Sequence, residues 1–353
     1  MSIVSLHQRL VSNQALIWYE KLLLFILKPI AFGYGIIGWI RNRCYDYKFL
    51  ATYRSTLPVI SVGNIAVGGT GKTPVVDWLV KEFIAHGKRP AIISRGYSGN
   101  YTATVGKVLS AQQLLMTAAE CGDEPYLLAQ RNRDCMVVVA KKRVDGVKVV
   151  ENSGNIDVII LDDGFQHRAV HRDVDLVLLD SCSPLGNGST LPAGNLREFV
   201  GSLQRADFIL MTRGTNWQQL PQLMCPKFTS NHKLATVATD LNGNKKSVAQ
   251  LAKLKLLAFA GVANPQSFFS SLVAVGIVPA KQLSFSDHAG YQVDIITQIN
   301  TDIDSIDALI TTEKDGVKLI ADMFSVPCYQ IGMDIEINNS AVLFDALSLK
   351  LWS

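Results

Sequence analysis

The run Gly68-Gly69-Thr70-Gly71-Lys72-Thr73 has the residue types that phosphate chemistry needs, in workable order. Glycines let backbone N–H groups wrap an anion, Lys72 can reach the β- and γ-oxygens of a nucleoside triphosphate, and the Thr73 hydroxyl can ligate Mg2+. One position departs from the general G-x-x-x-x-G-K-[ST] pattern: Ala66 stands at the first glycine, with Gly68 and Gly69 displaced inward. A second set of groups is Asp162-Asp163, at the end of the apolar run Asp157–Leu161. A strand delivering acids beside a phosphate cradle suits a metal ion bridging phosphate oxygens. Side chains alternate along a strand, so one of the two acids turns to the metal and the other elsewhere; the spacing leaves open which. Asp123, in Gly122-Asp123-Glu124-Pro125, precedes a helix and could be either a cap or a proton acceptor. His288, in a polar loop, is solvated or catalytic. Lys314-Asp315 resembles a guanine-reading T-K-x-D, but the adjacent spacing breaks the match.

These groups need elements to hold them. Short, β-branched apolar runs recur at Pro58–Val62, Pro90–Ser94, Met136–Ala140, Asp157–Leu161 and Asp175–Leu179, with helix-length stretches Thr73–His86 and Gln112–Arg131 between them. Strands that are apolar throughout and alternate with helices describe a parallel sheet covered on both faces. Such a sheet places the phosphate loop between a strand and a helix. A second series follows a Gly/Pro-rich stretch: Phe208–Thr212, Leu256–Gly261, Ala308–Thr312 and Val326–Ile331. The expected architecture is α/β: a P-loop NTPase-like parallel-sheet core, a second, smaller α/β domain and an N-terminal membrane-associated helix. The expected boundaries are 1–45 for the N-terminal segment, 46–178 for the core, 179–335 for the second domain, and 336–353 for a C-terminal segment able to return to the core.

With 353 residues, 48% of them hydrophobic, the chain can bury a sizeable core. Six scattered cysteines form no C-x-x-C pair, which argues against a zinc site or a disulfide framework. The net charge of +4 is concentrated at the start, where residues 1–60 carry seven Lys/Arg against two acids. Few aromatics interleave with the positive charge, so nucleic acid is not an expected partner, and an acidic membrane surface is. Leu22–Ile40 carries the single charge Lys28, next to Pro29, and runs into Arg41-Asn42-Arg43. It reads as a helix half-sunk in the interface, a single span or a buried core helix; no cleavage site marks it as a signal peptide.

Eight motifs in order, SVGNIAVGGTGKTP, ISRGY, GDEP, LDDGFQH, GNGSTLPAGNLRE, FAGVANP, FSDHAGY and TTEKD, closely resemble tetraacyldisaccharide 4'-kinase, the lipid A 4'-kinase family of Gram-negative bacteria. The resemblance spans about residues 14 to 320, and this family tolerates a non-glycine at the Ala66 position. It implies transfer of the γ-phosphate of ATP, with Mg2+, to the 4'-hydroxyl of an acylated glucosamine disaccharide 1-phosphate. The place would be the cytoplasmic face of the bacterial inner membrane, with no obligate protein partner. It further implies Asp123 as catalytic base paired with His288, Lys72 on the phosphates, and Thr73, Asp162 and Asp163 at the metal. Arg95, Tyr97, Arg197 and Glu198 would lie towards the substrate. Family members often carry DHH where this chain has Asp287-His288-Ala289, and PLRE where it has Asn195-Leu196-Arg197-Glu198. A membrane-recruited ATPase switch or a nucleotide-binding scaffold would use the same loop and acidic strand; an acceptor-dependent base sets a kinase apart.

Overall fold

The computed structural model describes residues 9–11, 17–218, 220–287 and 289–352. Helix α1 (Trp18–Asp46) is followed by β1 (Val59–Asn64), α2 (Lys72–Ala85), β2 (Pro90–Ser94), β3 (Val105–Ser110) and β4 (Gln113–Leu114). Then come α3 (Ala118–Cys121), α4 (Asp123–Arg131), β5 (Met136–Ala140), α5 (Arg143–Glu151), β6 (Val158–Asp162), β7 (Val174–Asp180) and β8 (Phe208–Thr212). The remainder comprises β9 (Lys227–Asp240), β10 (Lys245–Ser247), α6 (Val248–Leu251), β11 (Leu256–Ala260), α7 (Pro265–Ala274) and β12 (Lys281–Ser284). It ends in α8 (Val293–Thr301), β13 (Ala308–Thr312), α9 (Glu313–Gly316), β14 (Cys328–Ile337) and α10 (Ser340–Leu351).

Among the described residues the strands form one sheet, ordered β12-β11-β13-β14-β9-β8-β7-β1-β6-β2-β5-β3-β4 with β10 on β9. Strands β1, β2, β5 and β6 are buried along their whole length, which is why they read as unbroken apolar runs. On one face, α2 buries Val75, Val76, Leu79, Val80 and Phe83. Helix α10 returns to that face: Leu343, Phe344, Leu347 and Leu351 join the same core, and the Phe344 ring meets Phe83 at 5.3 Å. On the other face, Val147 and Val150 of α5 close over Ala91, Ile93 and Ile159.

The two series of strands are joined by a long ribbon. Strand β9 pairs parallel with β8 through Lys227–Ser230, then antiparallel with β14 from Ile337↔Ser230 to Tyr329↔Asp240, with a register shift between Ile331 and Met333. Strand β14 begins alongside β13, so the ribbon carries the sheet from one half to the other.

Two readings of the sequence are corrected. Phe208–Thr212 does not open the second series; it pairs parallel with β7, Leu176 facing Phe208, and extends the first half. Gln112–Arg131 is not one helix. Its first residues form β4, and Gly122, at φ 93° where a Cβ would lie 2.4 Å from the Tyr97 carbonyl oxygen, separates α3 from α4. The break puts Asp123 in the first turn of α4.

Helix α1 runs through Pro29 without interruption, and only 11% of its most apolar window is buried. Trp18, Phe25, Ile26 and Ile30 face outward, so it is not a core helix. Its inward side is anchored. Asn42 Nδ2 donates to Glu198 at 3.0 Å, Arg168 pairs with Asp46 at 2.7 Å, and Phe199 packs over Gly35, where a Cβ would lie 2.3 Å from the ring.

Because α10 completes the first half's core, Phe344→Ala should destabilise the protein by about 3 kcal/mol, the usual cost of emptying a buried aromatic site. Urea unfolding reads this directly, and a loss below about 1 kcal/mol would mean that α10 merely rests on the surface.

Candidate active site

The phosphate loop leaves the C-terminal end of β1, where parallel sheets place their ligands. Its ascending limb is extended: Ala66 bridges Leu196, Val67 N donates to Asn195 O at 2.8 Å, and Arg197 N donates to Ile65 O at 2.7 Å. Ala66 is therefore in ordinary backbone with no need for glycine, whereas Gly68 and Gly71 take φ of 126° and 81°. A Cβ on Gly71 would lie 2.5 Å from His232 Nε2 of β9. Burial, then Arg213, lowers the His232 imidazole to about 4, so it faces the loop uncharged. Asn64 Nδ2 donates to Thr70 Oγ1 at 2.9 Å and Thr212 Oγ1 donates to Thr70 O at 3.1 Å, tying the loop to β1 and β8. Helix α2 starts at Lys72, so its free N–H groups and positive dipole end face the cradle.

The two acids after β6 have opposite fates. Asp162 is buried and accepts from Ser94 Oγ at 2.9 Å. Burial first, then the carboxylates of Glu124 and Asp163, raises it to about 6. Asp163 adopts φ 55° and swings towards cations: Oδ1 is 3.5 Å from Lys72 Nζ and Oδ2 is 2.7 Å from Arg197 Nη1. Burial pushes its carboxyl up, but Lys72 and Arg197 outweigh it and hold it below the usual range. Arg143 lies beneath, donating to Ala140 O at 2.8 Å and Asp162 O at 3.2 Å. Burial lowers this guanidinium to about 10 despite the two acids, and burial followed by Arg143 lowers His167 to about 4.

Among the described residues no set of three or more His, Cys, Asp and Glu side chains forms a metal cage. An acidic pair beside a phosphate cradle instead fits Mg2+, which takes one or two carboxylates and completes its shell with phosphate oxygens and water. The tension among Asp162, Asp163 and Glu124 supports that fit, because like charges crowded in a buried site favour a cation.

Asp123 meets the second half of the chain. Its Oδ2 is 2.9 Å from Lys318 Nζ, and Lys318 also donates to Ala289 O at 3.2 Å. His288 lies outside the described residues; its neighbour Asp287 is 3.8 Å from Lys314. Asp123, Lys72, Asp162, Asp163, Arg95, Tyr97 and Arg197 all line one cavity of about 1510 Å3, as do Tyr34, Ile37 and Arg41 of α1. Arg95 and Tyr97 stand exposed at its rim. Glu198 is not among the lining residues. It is 2% exposed, pairs with Arg205 at 2.8 Å and Arg41 at 3.5 Å, and accepts from Asn42, so it anchors α1 where a substrate contact was expected.

Arg143 and His167 line the cavity and Lys318 pairs with its Asp123, none of the three having been singled out in the sequence. His167 closes the LDDGFQH motif, which was a signal. Arg143 follows Lys141-Lys142 and reads as the end of a solvated basic run, and Lys318 as an ordinary surface lysine; only tertiary packing buries them.

A model of the family "Tetraacyldisaccharide-1-P 4'-kinase" matches residues 23–351. The tetraacyldisaccharide 4'-kinase of Syntrophotalea carbinolica is 42% identical, covering 93% of this chain and 92% of that one. That of Geobacter sulfurreducens is 37% identical over 99% and 100%. The solved structure of the "apo" form of LpxK from Aquifex aeolicus in complex with ATP is similar with a TM-score of 0.79 at 29% identity, covering 94% of this chain and 100% of that one.

The charge state of Asp162 gives a test. Its carboxyl is raised from 3.8 to about 6, so its burial costs nothing below pH 3.8, where both states are protonated, costs more as pH rises from 3.8 to 6 and the unfolded chain ionises, and levels off above 6. In EDTA at pH 8, Asp162→Asn should therefore stabilise the protein by about 3 kcal/mol, the order such a shift carries. The gain should vanish near pH 4 in thermal unfolding. An equal gain at both values would trace it to packing and not charge.

Proposed function

The chain belongs to the tetraacyldisaccharide-1-P 4'-kinase family, and we infer that it transfers the γ-phosphate of ATP to the 4'-hydroxyl of a tetraacylated glucosamine disaccharide 1-phosphate, a step of lipid A biosynthesis. The observation that carries this reading is the shared cavity. The phosphate loop, the acidic pair and Asp123 open into the same space as Tyr34, Ile37 and Arg41 of the apolar helix, so a water-soluble donor and a lipid acceptor can meet there.

In the proposed mechanism the amides of residues 68–73, Lys72 and the N-terminus of α2 hold the triphosphate. Thr73, Asp162 and Asp163 would hold Mg2+, which would supply positive charge to offset that developing on the phosphates. Arg197, already paired with Asp163, adds a planar donor beside the transferred group. Asp123 takes the proton of the 4'-hydroxyl as its oxygen bonds to the γ-phosphorus and the bond to ADP breaks; His288 orients it. Arg95 and Tyr97 at the rim meet the sugar or its 1-phosphate. Most of the rate then comes from positioning and charge stabilisation. Docking of the half that bears residues 287–289 completes the site and excludes water.

The outward apolar face of α1, with Arg41 and Arg43 at its end, suits a helix lying in a membrane surface rich in anionic lipid. This supports a place on the cytoplasmic leaflet of the inner membrane, from which the acyl chains need never leave the bilayer.

Purified protein with Mg-ATP and the tetraacyl disaccharide 1-phosphate should add one phosphate to the acceptor, read by mass spectrometry. Asp123→Asn should lower this transfer about 100- to 10,000-fold while ATP binding persists; near-full turnover would remove Asp123 as base. No transfer by an ATP-binding wild-type protein would overturn the kinase reading. Replacing Phe25 and Ile30 together by Ser should weaken binding to anionic vesicles about tenfold or more, since each buried apolar side chain contributes about 1.5–3 kcal/mol. Unchanged vesicle sedimentation would place the membrane contact elsewhere.

A further inference from the structure

The end of β13 and the turn after it carry the TTEKD motif, for which the reaction outlined above has no use. Its first task is to fix itself. Thr312 Oγ1 donates to Asp315 Oδ2 at 2.7 Å, and the same oxygen accepts from Gly261 N at 3.1 Å, at the end of β11. Asp315 is fully buried, so the turn carrying Glu313, Lys314 and Lys318 is rigid with respect to the second half.

Three ion pairs run from this rigid turn to α4 in the first half. Glu313 Oε2 is 2.7 Å from Arg131 Nε at the C-terminal end of α4. Lys314 Nζ is 3.4 Å from Glu124 Oε1, and Lys318 Nζ is 2.9 Å from Asp123 Oδ2 at its N-terminal end. The charges are matched in sign along both partners. Arg131 is further fixed by buried Asp77 at 3.0 Å, so the far end of α4 cannot rotate independently.

The Lys318 contact differs from the other two. Its side chain is 11% exposed and its Asp123 partner 13%, so the pair is shielded from bulk water, where exposed pairs contribute little. Lys318 Nζ also donates to Ala289 O and lies 5.9 Å from the centre of the Tyr291 ring, which places it between the acid and the loop next to position 288. A cation in this position does two things: it fixes one carboxylate oxygen in space, and it makes the fixing conditional on the second half being docked.

We propose that Lys318 is a positioning residue for phosphoryl transfer, holding Asp123 in its working orientation and coupling that orientation to the docking of the half that carries residues 286–291. The inference rests on Asp123 being the base. Lys318 acts on the acceptor hydroxyl only through Asp123, and it has no part in holding ATP.

The test is a double-mutant cycle on the full-length protein with Mg-ATP and the tetraacyl disaccharide 1-phosphate. Lys318→Met should lower kcat about 10- to 100-fold, the scale of a misplaced reacting group, with KM for ATP within about twofold. Lys318→Arg, which keeps the charge, should recover most of that loss. Asp123→Asn together with Lys318→Met should be no slower than Asp123→Asn alone by more than about threefold, because two groups acting as a unit are not additive. A near-wild-type kcat for Lys318→Met, or a loss that multiplies in the double variant, overturns the proposal. If Lys318→Met does not fold, judged by cooperative thermal unfolding, Lys318→Gln against Lys318→Arg carries the same test: Gln slow and Arg fast supports it, equal rates overturn it. Near-full turnover by Asp123→Asn would defeat the base reading itself and this inference with it. A slow Asp123→Asn beside a fast Lys318→Met defeats only the role of Lys318.

Discussion

The pairing of Asp163 with both Lys72 and Arg197 is the interaction on which the rest of the site depends. Two acids at the end of one buried strand would repel each other. Here the second turns through a left-handed backbone angle to meet two cations, while the first stays buried with its carboxyl raised. That division ties three otherwise separate pieces together: the phosphate loop through Lys72, the end of β6 through Asp163, and the 195–198 limb through Arg197. Paired charges are tolerated in such a half-buried place, and removing one partner leaves the others uncompensated.

The same limb connects the phosphate loop to the apolar helix α1. Neighbouring residues in extended chain point to opposite sides, so Arg197 faces the cavity while Glu198 faces α1, where Asn42, Arg41 and Arg205 gather on it. The phosphate site and the helix are thus held by adjacent residues of one strand-like segment. In the proposed mechanism this fixes the distance from a lipid lying along α1 to the γ-phosphate, and α4, gripped from the second half, supplies Asp123 on the remaining side.

Much of this was legible beforehand. The parallel core strands are apolar because they are buried on both faces, and the phosphate loop shows itself because its glycines and lysine have little other use together. Ala66 became intelligible once its backbone was seen to be extended and paired with Leu196. What stayed hidden depends on contacts between distant residues. Phe208–Thr212 is equally apolar in either half, and only its partner strand decides where it belongs. The helix expected over Gln112–Arg131 starts as β4 and is interrupted at Gly122; the glycine was a local signal, but its close approach to the Tyr97 carbonyl, some 25 positions away in the chain, was not. Glu198 sits in a motif beside Arg197, which lines the cavity, yet strand alternation turns it to α1. Arg143 and Lys318 look like surface residues until the fold buries them.

The central claim is that donor, acceptor and base converge in the one cavity at Asp123. The most direct measurement is a structure of the protein with a non-hydrolysable ATP analogue, Mg2+ and the tetraacyl disaccharide 1-phosphate. The expected result places the 4'-hydroxyl about 3 Å from an Asp123 carboxylate oxygen, with the γ-phosphate in the 68–73 loop and the acyl chains along α1. An acceptor bound with its 4'-hydroxyl away from Asp123, or chains running off the opposite face from α1, would contradict it.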